Sequence, residues 1–202
     1  MAYKEFTLTN VEQRLGVTIK RTSLFPTVEA LPITSWLQEA LDKAQRQGFL
    51  SEKARSEFIV APILLTSREL VGERFAIFSG PIFIVDLDLG LAGECDFILT
   101  HTPSLPVLKA PIMALLEAKK QDIEQGLGQC IAQTVAARIF NQRAQPSDDP
   151  IKSVFGCVTT GEDWQFFKLE GDTVWVDDKR YFINEVGKIL GIFKAVVDHF
   201  EH

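Results

Sequence analysis

The chain has 202 residues, 46% of them apolar and 15 of them Phe, with a formal net charge of −6. That length and apolar content suit a single domain with a substantial core. The acidic balance argues against a free-standing nonspecific nucleic-acid binder, which normally carries a broad basic surface. Any nucleic-acid contact would then use one basic cleft, a homodimer or a partner protein. Cys95, Cys130 and Cys157 each lie in an apolar run and form no Cys-x-x-Cys pair, so buried free thiols in a reducing compartment are expected and a zinc site is not. Residues 1–10 have no charged-then-apolar leader pattern, and no stretch approaches the roughly 18 apolar residues of a membrane span. The expectation is a soluble cytoplasmic protein with no membrane partner.

In chain order, the segment from Phe6 to Ile19 reads as a packing arm with a helical turn ended by Gly16. Pro26 and Pro32 mark a connecting loop. Thr34 or Ser35 then caps a helix through Gln47, with Trp36, Leu37, Ala40, Leu41 and Ala44 as its buried stripe and Gly48 as its stop. Residues 1–50 form a helical N-terminal extension in this reading, and 51–202 the main unit. Ser51 is an N-cap for a helix running towards Leu70, with Glu52 in the first turn, where the helix dipole favours an acid. Glu57 falls on a face with Ala54, Ala61 and Leu64, and Pro62 is expected to kink the helix or end its first half.

Phe75–Phe78 and Ile82–Val85 flank Ser79-Gly80-Pro81 and read as a hairpin. Asp86 and Asp88 follow in an alternating exit ending at Gly90; they are competing candidates for a metal site, and their place beside a Gly-rich loop favours simple solvation. Phe97–Leu99 and Ile112–Ala118 read as a second antiparallel pair, with His101 in the loop between them. A helix from about Asp122 to Gln142 carries Ile123, Leu127, Ile131, Val135 and Ile139 at steps of four, with Ala132, Ala136 and Phe140 extending its apolar surface. Residues 141–152 read as an exposed loop. Strands at Ser153–Thr159, Trp164–Leu169 and Val174–Val176 and a helix from Asn184 to Phe200 complete an α/β fold: a mixed central sheet flanked by helices.

One juxtaposition carries chemistry. In an antiparallel pair the start of one strand lies beside the end of the next, which brings Asp96 near Glu117. Alternation puts Glu117 and Lys119 on one face. Two carboxylates can hold Mg²⁺ or Mn²⁺ while leaving positions for water and phosphate, and a nearby ammonium can orient that water. Gln129 sits on the apolar side of the following helix, where its amide needs a partner, and Gln133 shares its stripe.

Asp96, twenty intervening residues and Glu117-Ala118-Lys119 resemble the PD-(D/E)XK nuclease superfamily, with Cys95 where a Pro often stands. The Gly161-x-x-Trp164-x-Phe166 run is similar to later core strands of its restriction-type members. The resemblance spans roughly Ser51 to Leu169. It implies a restriction-endonuclease-like fold and Mg²⁺- or Mn²⁺-dependent endonuclease activity on nucleic acid, with DNA the expected polymer. It also implies a metal held by Asp96, Glu117, the Ala118 carbonyl and a third acid, Glu57. Lys119 would assist the attacking water, and Gln129 would orient Lys119 or a phosphate. Simpler roles stand beside these: a Glu and two lysines at a strand end are often only solvated, Asp96 alone could cap a turn, and Glu57 could pair with Arg55, Arg68 or Arg74. The rival functions are a non-catalytic nucleic-acid-binding or assembly module, and a metal hydrolase of a small phosphorylated substrate.

Overall fold

The computed structural model describes residues 2–47, 51–102, 106–144 and 153–201. Its elements in chain order begin with helix α1 (Leu8–Leu15), strand β1 (Thr18–Thr22) and helix α2 (Ser35–Gln47). Helices α3 (Glu52–Arg55) and α4 (Ala61–Leu70) follow, joined by a π-helical turn (Ser56–Val60). Then come strands β2 (Ala76–Ser79), β3 (Ile82–Asp86), β4 (Leu91–Glu94), β5 (Phe97–Thr100) and β6 (Ile112–Ala118), and helix α5 (Ile123–Ala144). Strands β7 (Ser153–Thr159), β8 (Asp163–Glu170), β9 (Thr173–Asp177) and β10 (Tyr181–Phe182) precede helix α6 (Val186–His199).

The central sheet runs β1–β9–β8–β7–β6–β5–β2, with β10 beside β8. It is parallel at β1/β9 and β6/β7 and antiparallel elsewhere. Alternation along the strands sorts side chains into two cores. Phe97, Leu99 and Leu116 face α2, α4 and α6, whereas Ile98 and Leu115 face α5 and the N-terminal arm. Each such fully buried side chain contributes roughly 1.5–3 kcal/mol. Helix α5 is buried nearly all round: Gly128 lies so close to the arm that a Cβ there would stand 2.4 Å from the Thr7 carbonyl carbon. The first fifty residues are therefore not only helical, because β1 extends the sheet on β9 and the arm packs on α5.

Several expectations are corrected. Ala76–Ser79 and Ile82–Asp86 do not pair with each other: β2 pairs with β5, and β3 with β4 in a separate two-stranded ribbon. Residues 76–86 and 91–100 form one long antiparallel ribbon that bends where Gly80 N–H donates to the Asp96 carbonyl and Cys95 N–H to that of Pro81. Gly80 takes φ +66°, a left-handed value that suits glycine, so it bends the ribbon rather than closing a hairpin. Trp36 is 50% exposed, because the buried line of α2 is Leu37, Leu41 and Ala44, one position round the helix. Pro62, by contrast, falls where it was expected to end the first half of the run: a π turn over Ser56–Val60, in which Ala61 N–H reaches back five residues to the Ser56 carbonyl, interrupts the helix, and α4 begins at Ala61 with Pro62 in its first turn.

Other expectations hold. Thr34 caps α2 through Leu37 N–H, and Ser51 caps α3 through Ala54 N–H. Gly16 ends α1 at φ +65°, Trp164 is core, and the three cysteines are free and buried. Helix α5 runs on to Ala144; Gly48 and residues 145–152 of the expected loop lie outside the described residues. Among the described residues no helix is long and apolar enough to cross a membrane.

Candidate active site

The β5/β6 register sets the geometry. Phe97 pairs with Leu116 and Ile98 with Leu115, so one further step places Asp96 opposite Glu117. Directly opposed residues share a face, with Cβ atoms roughly 5 Å apart. Asp96 lies at the ribbon bend and Glu117 one residue before the end of β6. Asp96 Oδ2 accepts the Ala118 N–H at 2.7 Å, so the acid continues the ladder where the strand itself stops. In an extended strand a residue's N–H and C=O leave on the same side, so the Ala118 carbonyl also faces the Asp96 side.

Glu117 is 3% exposed and accepts three hydrogen bonds. Lys119 Nζ donates to its Oε1 at 2.8 Å, and Gln129 Nε2 to the same oxygen at 2.7 Å. Gln133 Nε2 donates to Oε2 at 2.9 Å. Gln129 Oε1 in turn accepts from Lys119 Nζ at 3.1 Å, so one amide bridges the acid and the amine. These two glutamines stand one turn apart on α5, which crosses the face carrying Glu117. Gln133 leaves its own buried Oε1 without a hydrogen-bond partner among the described residues, so its orientation serves Glu117 alone. A carboxylate has about four acceptor sites, and one on Oε2 is left.

The charges are poised. Burial pushes the Glu117 carboxyl up to about 7; the nearby Asp96 adds to this, while Lys119 and Gln133 oppose it. Burial also raises Asp96, offset by the Ala118 N–H and Lys119. For Lys119, burial pulls downward, but Glu117 first and then Glu52 and Asp96 outweigh it, so the ammonium holds its proton more tightly than usual. Cys95, adjoining Asp96, is held well above the ordinary thiol range by burial and then by Glu117, Asp96 and Glu94, so it is not a thiolate nucleophile here.

Glu57 does not join this cluster. It is exposed, 3.8 Å from Lys53, because the buried face of its helical run is Ile59, Val60, Ile63 and Leu64 rather than Ala54, Ala61 and Leu64. The helix acid that does approach is Glu52, whose Oε1 accepts the Lys120 N–H at 3.2 Å and whose charge acts on both Asp96 and Lys119. Its first-turn position was legible in the sequence, but nothing local said that the start of α3 would abut the end of β6. Asp86 instead caps Leu89 N–H at 3.0 Å and lies 3.8 Å from Arg143 in the β3–β4 turn, and His101 follows the end of β5.

Among the described residues no three His, Cys, Asp or Glu side chains form a metal-holding group. Clefts of about 360, 540 and 440 Å³ are lined by other residues. The site therefore offers two opposed carboxylates and a backbone carbonyl as donors to a cation, with an ammonium beside them, and is reached from solvent past the half-buried Asp96 and Lys119. No protein-family model matches the chain, and no curated protein matches its sequence significantly.

Proposed function

We propose that this chain is a divalent-metal-dependent nuclease, hydrolysing nucleic-acid phosphodiester bonds on a restriction-endonuclease-like fold. The observation that carries the reading is Asp96 facing Glu117 across adjoining strands, with Lys119 two residues on and Gln129 bridging Glu117 to Lys119. Two like charges held together under partial burial, with one ammonium against them, leave an excess of negative charge that a cation relieves. Asp96, the open acceptor site of Glu117 and the Ala118 carbonyl would hold Mg²⁺ or Mn²⁺, with Glu52 contributing through water. A bound ion of this kind lowers the pKa of its water and neutralises charge on the phosphoryl oxygens.

The chain's own groups do the rest. Asp96 is fixed through Oδ2 by the Ala118 N–H, and its other oxygen would take the ion. Gln129 and Gln133 hold Glu117 in one orientation, so its charge is placed before substrate arrives. Lys119 stays protonated beside Glu117 and donates either to the attacking water or to a phosphate oxygen as charge develops there.

The test incubates purified protein with supercoiled plasmid, single-stranded DNA and structured RNA, each with Mg²⁺, Mn²⁺ or EDTA, beside Asp96→Asn and Lys119→Ala. Metal-dependent cutting that both substitutions abolish is the expected result, and it names the preferred polymer. Absence of cutting by a folded wild-type chain on all three polymers would replace this reading with a binding or assembly module.

A further inference from the structure

The sheet edge that carries Glu117 continues into a second feature with a different charge. Ala118 pairs with Thr159, Thr159 with Trp164 and Trp164 with Tyr181, so Tyr181 stands level with Ala118 three strand spacings away. At about 4.8 Å per spacing this is roughly 14 Å. The turn just before Tyr181 carries Lys179 and Arg180, which line a cleft of about 440 Å³ with Lys188, Glu185 and Phe25, Pro26 and Val28 of the strap, the connection between β1 and α2. In a chain of net charge −6, this cleft gathers three cations against one carboxylate.

The cleft is built rather than incidental. Buried Gln165 donates through Nε2 to the carbonyls of Asp177 at 2.8 Å and Lys179 at 3.1 Å, pinning the turn. Buried Asp177 accepts from Tyr181 Oη at 3.1 Å and from the N–H groups of Lys179 at 3.3 Å and Leu24 at 3.4 Å, tying turn and strap to one carboxylate. Leu31 N–H donates to the Gly187 carbonyl at 2.9 Å and holds the strap on the first turn of α6, which supplies Lys188. All three cations are exposed; Lys188 pairs with Glu185, and Arg180 reaches Glu124 of α5 at 3.8 Å, pointing back towards the Lys119 end of that helix.

We infer that this cleft is an accessory phosphate subsite, gripping the nucleic-acid backbone away from the scissile bond. The inference rests on the proposed reading of the Asp96–Glu117 site and deepens it: the substrate is a polymer that must reach both places. The Ala118–Tyr181 spacing of roughly 14 Å, laid along a duplex axis at about 3.4 Å of rise per phosphate of one strand, corresponds to about four base-pair steps. It also explains how an acidic chain engages a polyanion, through one local basic cleft on a preorganised turn.

The experiment measures anisotropy of a labelled duplex of roughly 24 base pairs and of a tetranucleotide, both in EDTA over a salt series. It compares wild type with the double variants Lys179→Glu/Lys188→Glu and Lys179→Gln/Lys188→Gln, and adds inorganic phosphate as competitor. The charge reversal is expected to weaken duplex binding at least roughly tenfold and to lower the salt slope by about 2, one for each lost phosphate contact. The neutral variant should fall between, and the tetranucleotide, with few phosphates to offer the cleft, should bind wild type far more weakly than the duplex does. Unaltered duplex affinity and slope in both double variants overturn the inference, as does a cleft that takes inorganic phosphate while the duplex ignores it. Wild type that binds the duplex in this charge-dependent way but never cuts it with Mg²⁺ or Mn²⁺ retains the subsite and loses the nuclease reading. Cutting that is indifferent to both substitutions does the reverse.

Discussion

Asp96 Oδ2 accepts the Ala118 N–H at 2.7 Å, so the acid of one strand completes the backbone ladder of the next at the point where the ribbon bends away. One carboxylate thus has a structural bond and a chemical role, and substitutions separate them. Asp96→Asn keeps an acceptor for Ala118 and should change stability by less than about 1 kcal/mol while abolishing metal-dependent cleavage. Asp96→Ala leaves the N–H without its partner and should cost about 1–3 kcal/mol in addition. Urea denaturation of the three proteins beside a plasmid assay reads both quantities.

The bridge made by Gln129 is expected to act on rate more than on folding. Gln129→Ala removes a donor to Glu117 and an acceptor from Lys119 together, leaving the amine without its second anchor. Cleavage or metal affinity should drop about 10- to 100-fold, the usual cost of losing a supporting residue behind a ligand. Calorimetric titration with Mn²⁺ beside single-turnover cutting locates the loss. A variant as fast as wild type would remove Gln129 from the mechanism.

Glu117 makes the metal-free protein pH-sensitive in a definite direction. Its folded carboxyl is raised to about 7 from an ordinary value of 4.5, so between those values the native state holds a proton that the unfolded chain has released. Stability from this group therefore falls as pH rises from about 4.5 through 7, by at most about 1.4 kcal/mol per pH unit. Glu117→Gln should flatten that slope and be the more stable protein at pH 8 in EDTA. Metal affinity of the wild type should rise over the same interval, because the ion displaces the proton. Melting temperatures from pH 5 to 8, with and without Mn²⁺, give the sign.

Glu52 and Glu57 are five residues apart and should behave differently. Glu57→Gln is expected to leave cleavage within about twofold of wild type, since that acid is exposed and paired only loosely with Lys53. Glu52→Gln removes a charge that acts on Asp96 and Lys119, and should weaken Mg²⁺ binding several-fold. Titrating activity against Mg²⁺ for both variants checks the pair, and equal behaviour would contradict the assignment of Glu52.

Gly126 is where packing and site meet. A Cβ there would stand 2.5 Å from Val158 Cγ1 and 2.9 Å from Lys119 Cγ, so Gly126→Ala must displace the lysine, the helix or both. The expected outcome is a loss of about 1–3 kcal/mol in stability together with a larger fall in cleavage than that loss explains. Thermal melts paired with rates at a temperature where the variant is fully folded distinguish the two effects.

Local physics determined much of this protein from its sequence. Caps at Thr34 and Ser51, the left-handed stop at Gly16, the apolar steps of α5 and the Asp96/Glu117-x-Lys119 spacing all act within a few residues or across one tight strand pair, and all are found where they were expected. What was not legible depends on which elements meet. The partners of β2 and β3 followed from the bend at Gly80, because two apolar runs beside a turn do not say which neighbour each will bond. Glu57 and Trp36 were misplaced because a helical wheel gives a residue's angle but not which sector the sheet covers, and a π turn shifts even that angle. Glu52 reaches Lys120, Gln133 joins Gln129 on Glu117, and Tyr181, just after the Lys179–Arg180 turn, comes level with Ala118 three strands away. Those relationships arise from long-range pairing, which is fixed by burying two faces of one sheet at once and leaves no short-range mark on the chain.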